Sequence, residues 1–71
     1  MIQNLELKKK IDYEFRENAK RVAELDAFIN SSNFSKLDQT LRGILIQKYH
    51  ALEINGHCLG YMKTYLNQEH A

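Results

Sequence analysis

The sequence predicts an all-α protein, an antiparallel helical hairpin that assembles into a compact homo-oligomeric helical bundle. Three observations predict it. Apolar residues recur at helical spacing on both sides of one polar break, Asn30-Ser31-Ser32-Asn33. The chain has no proline to interrupt a helix, and no glycine before Gly43. Beyond the break, leucines repeat every seven residues, with further apolar side chains left over on another flank.

The first helix is expected over about residues 5–29, at about 100° per residue. Ile11, Phe15, Val22, Leu25 and Ile29 fall within one narrow stripe, and Asn18 continues that stripe as a polar interruption. Asn30-Ser31-Ser32-Asn33 then brings side chains that compete for backbone hydrogen bonds, which favours turns and caps. The turn is expected over about residues 30–37, short enough to reverse the chain and too short to link two domains.

Two starts are open to the second helix. Ser35 with Asp38 three residues later resembles a capping box, with Asp in place of the usual Glu or Gln. Alternatively, Asp38 is itself the N-cap. The helix is expected over about residues 38–66. Leu45, Leu52, Leu59 and Leu66 form one heptad row, and Leu37, Ile44, Ala51, Cys58 and Tyr65 form another, one position earlier. Leu41 and Met62 widen the stripe, while Lys48 and Asn55 fall where the seam would be completed. Polar residues at such positions set register or oligomeric state. Ile46, Ile54 and Tyr61 lie on another flank that a lone hairpin leaves in water, hence the expected homo-oligomer. Gly56 and Gly60 sit inside this helix, where each costs about 1 kcal/mol relative to alanine. Close approach of a neighbouring helix, or a local bend, would account for them.

Composition narrows the functional classes. Seventy-one residues make one domain, residues 1–71, near the lower limit for a self-sufficient core. A hydrophobic content of 44% with 27% charged residues is ordinary for a globular chain. A net charge of +1 disfavours bulk attraction to DNA or to an anionic membrane, while allowing a local basic site. One cysteine, Cys58, excludes an internal disulfide framework and suits a reducing cytoplasm. No apolar run of signal-peptide or membrane-spanning type occurs, so a cytoplasmic location is expected.

Four sets of residues are candidates for chemistry. Lys9, Tyr13, Arg16 and Lys20 share a helix face opposite the apolar stripe, and Arg21 adjoins it. Cations interleaved with a ring suit a ligand with phosphates and bases. The same face also reads as a solvated surface with the pairs Asp12–Arg16, Glu17–Arg21 and Lys20–Glu24. His50, His57 and Cys58 can ligate metals, but His50 and His57 are two turns apart and a fourth ligand is wanting, so no metal is expected. Cys58 reads as a small core residue. Tyr65 continues the core stripe, whereas Tyr49 and Tyr61 are free for an oligomer interface or a ligand. Lys48 and Asn55 complete the set. Nothing points to catalysis or to a cofactor: Cys58 has no positioned base, and no glycine-rich phosphate loop is present.

The stretch RVAELDAFINSSNFSKL, followed by LRGILIQKYHAL, resembles a family of small phage proteins. Arg21, Val22, Leu25, Phe28 and Ile29 match its first helix, and Phe34, Leu37, Ile44 and Leu45 match the turn and second helix. The similarity is to the phage anti-CBASS sponges, which counter the cyclic-oligonucleotide-based antiphage signalling system of bacteria. It implies a compact helical oligomer, typically a hexamer, in the cytoplasm of an infected bacterium. Such a protein sequesters a cyclic dinucleotide, or a related cyclic nucleotide signal, between protomers. Tyr13 is the nearest equivalent of the ring that stacks on a base in that family, and Lys20 of the phosphate-binding lysine, with Arg16 and Arg21 as further cations. Where the family often shows a tyrosine and then an arginine, this chain has Asn55 and Met62, so a second, trinucleotide site is not implied. Two rival readings are a helical interaction module that docks a host protein through its aromatic flank, and a small DNA-binding regulator.

Overall fold

In the computed structural model, the backbone is described for residues 2–68 and the side chains for residues 5–68. Two long helices, α1 (Ile2–Ile29) and α3 (Gln39–Gln68), pack along each other, and a single helical turn, α2 (Ser32–Ser35), sits between them. The hairpin is a rod of 51 × 16 × 14 Å. No helix among the described residues is long and apolar enough to cross a membrane.

The expected turn over residues 30–37 is therefore corrected: it contains a helical turn of its own. Ser31 takes an extended backbone (φ −92°, ψ 161°), which stops α1, and then caps the short α2. The hydroxyl groups carry the bend. Ser31 Oγ donates to the Phe28 carbonyl at 2.6 Å, and Ser35 Oγ donates to the Ser32 carbonyl at 2.7 Å. The Phe28 carbonyl also accepts the Ser31 N–H at 3.0 Å, so one residue closes the end of α1 through both its backbone and its side chain. Phe34 on α2 meets Phe28 on α1 edge to face, with ring centroids 6.2 Å apart. Of the two possible starts for α3, the second is adopted. Asp38 Oδ1 accepts from the Leu41 N–H at 2.8 Å, and the Asp38 carbonyl accepts from Arg42 at 3.0 Å, as an N-cap requires.

The α1 stripe faces α3 as the spacing predicts: Ile11 and Asn18 are buried, and Phe15, Val22, Leu25 and Ile29 are half-buried. On α3 only one of the two heptad rows turns inward. Leu59 and Leu66 are buried and Leu45 and Leu52 half-buried, whereas Ile44, Ala51, Cys58 and Tyr65 are exposed. Cys58 and Tyr65 are thus not core residues; Tyr65 is 63% exposed. The physical reason is geometric. Rows one residue apart are separated by about 100° around a helix, more than one facing helix can cover. Ile11, Leu59 and Leu66, with Phe15 against them, form the core, which lies at the end of the rod away from the turn.

Candidate functional site

A buried amide fixes how the two long helices meet. Asn18 is 6% exposed. Its Nδ2 donates to the Leu52 carbonyl at 2.9 Å, and its Oδ1 accepts from Asn55 Nδ2 at 2.9 Å. A burial of this kind is tolerated because both ends of the amide are bonded. Gly56 creates the space: a Cβ there would lie 2.8 Å from Asn18 Nδ2. At Gly60, by contrast, a Cβ would meet Phe15 at an ordinary 3.6 Å. The close approach expected of Gly56 is therefore that of α1, through one side chain.

On one side of this interlock two open grooves run between the helices. The first, of about 390 Å³, is lined by Arg21, Glu24, Leu25 and Phe28 of α1 and by Lys48 and Leu52 of α3. The second, of about 270 Å³, is lined by Tyr13, Glu14, Glu17, Asn18 and Arg21 of α1 and by Asn55 of α3. Arg21 lies on both, so it joins Tyr13 at one end to Lys48 and Phe28 at the other. The charge differs between them. The first sets two cations against one carboxylate, the second one cation against two.

Of the candidates read from the sequence, the fold brings Tyr13, Arg21, Lys48 and Asn55 to these grooves. Lys9, Arg16 and Lys20 are exposed on α1, and they are not among the described residues that line these two grooves. Lys48, which heptad spacing assigns to the seam, instead lines the wall of the first groove. The i,i+4 alternative for this face is also revised. Asp12 pairs across the helices with Lys63, at 3.3 Å, and Lys63 Nζ stands 4.5 Å from the centre of the Phe15 ring. Among the described residues, no group of three His, Cys, Asp or Glu side chains is placed to hold a metal ion; His50 Nδ1 instead faces Glu53 at 3.3 Å.

The opposite side carries two further grooves. One, of about 380 Å³, is lined by small and apolar residues, Ala19, Val22, Ala23 and Gly56, together with Tyr49, Asp26 and Glu53. The other, of about 420 Å³, continues past Gly60 to Tyr61 and Thr64, and both share Phe15, Gly56 and His57. Partial withdrawal from water, and then the negative charges of Glu53 and Asp26, raise the Tyr49 phenol above its ordinary pKa. A folded pKa above the unfolded one means that the fold holds the phenol proton more tightly. That contribution is complete below the unfolded value of 10.0 and disappears as pH rises through the folded value. In an ultraviolet phenolate titration, the difference between wild type and Tyr49→Phe should show one tyrosine ionising later than free tyrosine. Ionisation at or below the free value would contradict this environment.

Comparison with protein-family models, curated proteins and solved structures finds no match to this chain.

Proposed function

We propose that this protein is a non-catalytic sponge: a helical hairpin that assembles with its own copies and sequesters a cyclic dinucleotide, or a related cyclic nucleotide signal. In this reading it acts in the cytoplasm of an infected bacterium and keeps the messenger from its host effector by mass action. The observation that carries the reading is the convergence of Arg21 and Lys48, one cation from each long helix, on a groove that also holds Leu25 and Phe28. Guanidinium and ammonium groups suit phosphodiester oxygens, and an aromatic wall suits a base. Tyr13 extends that surface through Arg21.

At about 390 Å³ and open to solvent, one groove lies at the small end of the range for ligand sites, roughly 300–1,000 Å³. A cyclic dinucleotide presents two phosphates and two bases, so two copies related by a twofold axis match it better than one. Lys9, Arg16 and Lys20 would then reach the ligand from a neighbouring protomer. The hexamer implied by the family resemblance is part of this proposal.

Calorimetric titration with a panel of cyclic di- and trinucleotides tests it. Micromolar or tighter binding to at least one dinucleotide is expected. Arg21→Ala or Lys48→Ala should weaken that binding by about tenfold or more, as for loss of a charge-assisted hydrogen bond. Absence of binding to every member of the panel at micromolar concentrations would overturn the sponge reading. The docking-module reading draws on the apolar grooves of the opposite side, where Tyr61 is 74% exposed. It predicts capture of a host protein that depends on Tyr61, with no nucleotide retained.

A further inference from the structure

The outward face of α3 contains a second interhelical seam. Ile44, Gln47, Ala51, Ile54, Cys58, Tyr61 and Tyr65 follow steps of three and four residues, and all are exposed. At about 100° per residue they occupy about 100° of the helix circumference. Ile54 is 62% exposed and Ile44 53%. The charged residues of α3 (Arg42, Lys48, Glu53 and Lys63) all fall outside this arc. A regular 3-4 repeat of mostly apolar residues is the pattern by which one helix inserts its side chains between those of another. The row that faces α1 already uses the other repeat.

We infer that this face pairs with the same face of a second copy, α3 against α3 and antiparallel. Three features point to a second copy. The first is area. The chain exposes 5646 Å², whereas a compact protein of 8.4 kDa exposes about 4,600 Å². The difference, about 1,000 Å², exceeds the roughly 800 Å² that each partner buries in a stable interface. The second is charge. An uncharged stripe matches another uncharged stripe, while a membrane-surface helix would carry a basic polar face along its length. The third is a glycine with no reason inside the chain. A Cβ on Gly43 would meet nothing within 4 Å, yet glycine at this helical position costs about 1 kcal/mol. Gly43 borders the outer stripe, where a bare backbone leaves room for a neighbouring helix to approach.

Direction follows from the sizes of the side chains. Parallel pairing would set Ala51 on Ala51 and Tyr61 on Tyr61, leaving a gap beside a crowded layer. Antiparallel pairing sets Ala51 against Tyr61 of the second copy, Ile54 against Cys58, and Gln47 against Tyr65. Each layer then holds one smaller and one larger side chain, which suits uniform packing. The inference rests on the oligomeric part of the proposed function and is independent of the ligand.

The test combines native mass spectrometry with cysteine pairing under oxidation. Ile54→Glu should shift wild-type oligomers to smaller species while circular dichroism remains helical. In a Cys58→Ser background, Ala51→Cys and Tyr61→Cys together in one chain should yield a covalent dimer. Either alone should not, because like positions would be about 15 Å apart in the antiparallel pair. Within one chain the two positions are also about 15 Å apart along the helix, too far to bridge.

A covalent dimer from Ala51→Cys alone would overturn the antiparallel register. Oligomers that survive Ile54→Glu, with no cross-link, would overturn this interface and leave assembly to another face. A wild type that stays monomeric at every concentration would overturn both this inference and the oligomeric reading. A monomeric wild type that co-sediments with phosphatidylglycerol vesicles would assign the face to a membrane.

Discussion

Leu59→Ala will destabilise the hairpin by about 3 kcal/mol, the middle of the range for truncating a buried leucine. Among the described residues Leu59 is one of three apolar side chains buried in the core, beside Ile11 and Leu66, so the surroundings have little other mass with which to refill the space. A chain of 71 residues has a total stability of roughly 4–10 kcal/mol. The substitution therefore removes a large share of it, and should lower the melting temperature by more than 10 °C at about 4–8 °C per kcal/mol. Thermal denaturation followed by circular dichroism, at one fixed protein concentration, measures the loss; concentration matters because assembly adds to apparent stability. Hydrogen exchange should accelerate first near Ile11 and Leu66, at the end of the rod away from the turn. A loss below 1 kcal/mol would mean that the core lies elsewhere.

Gly56→Ala is expected to lower stability by about 1–2 kcal/mol, although alanine is the better helix former by about 1 kcal/mol. The new Cβ would lie 2.8 Å from Asn18 Nδ2, so the amide must leave the Leu52 carbonyl and Asn55. Each lost hydrogen bond costs about 1 kcal/mol, and a buried amide left without partners costs about 1–3 kcal/mol. Gly60→Ala provides the control. Its Cβ makes ordinary contact with Phe15, so that substitution should stabilise the protein by up to about 1 kcal/mol. The sharper measurement is a double-mutant cycle. In an Asn18→Ala background the clash is gone, and Gly56→Ala should become stabilising, with a coupling of about 2–3 kcal/mol. Additive effects of the two substitutions would show that Asn18 does not occupy the space Gly56 leaves.

The two helices were legible because their signals are local. The spacing of Ile11, Phe15, Asn18, Val22, Leu25 and Ile29 places the inward face of α1, and Asp38 is one of the two starts open to α3, the one the structure adopts. The helical turn at Ser32–Ser35 was not legible, since serine and asparagine favour any conformation that bonds their side chains to nearby backbone. At the site, Tyr13 and Arg21 could be named from their residue types. Lys48 could not be placed, because heptad arithmetic assigns it to a seam that the actual crossing of the helices leaves as the wall of a groove. Lys63 fails for the complementary reason. It lies along the inward row, where its stem covers Phe15 while its ammonium reaches Asp12.

Sequence by itself determined that this chain is helical, where it reverses, and that α3 has more apolar surface than one neighbour can cover. Those properties depend on residues a few positions apart, within reach of a single helix. Only the tertiary structure decided which heptad row turns inward, what Gly56 makes room for, and which cations share a groove. Each of these depends on the angle at which α1 meets α3, and that angle is set by contacts such as Asn18 to Leu52, thirty-four residues apart in the chain.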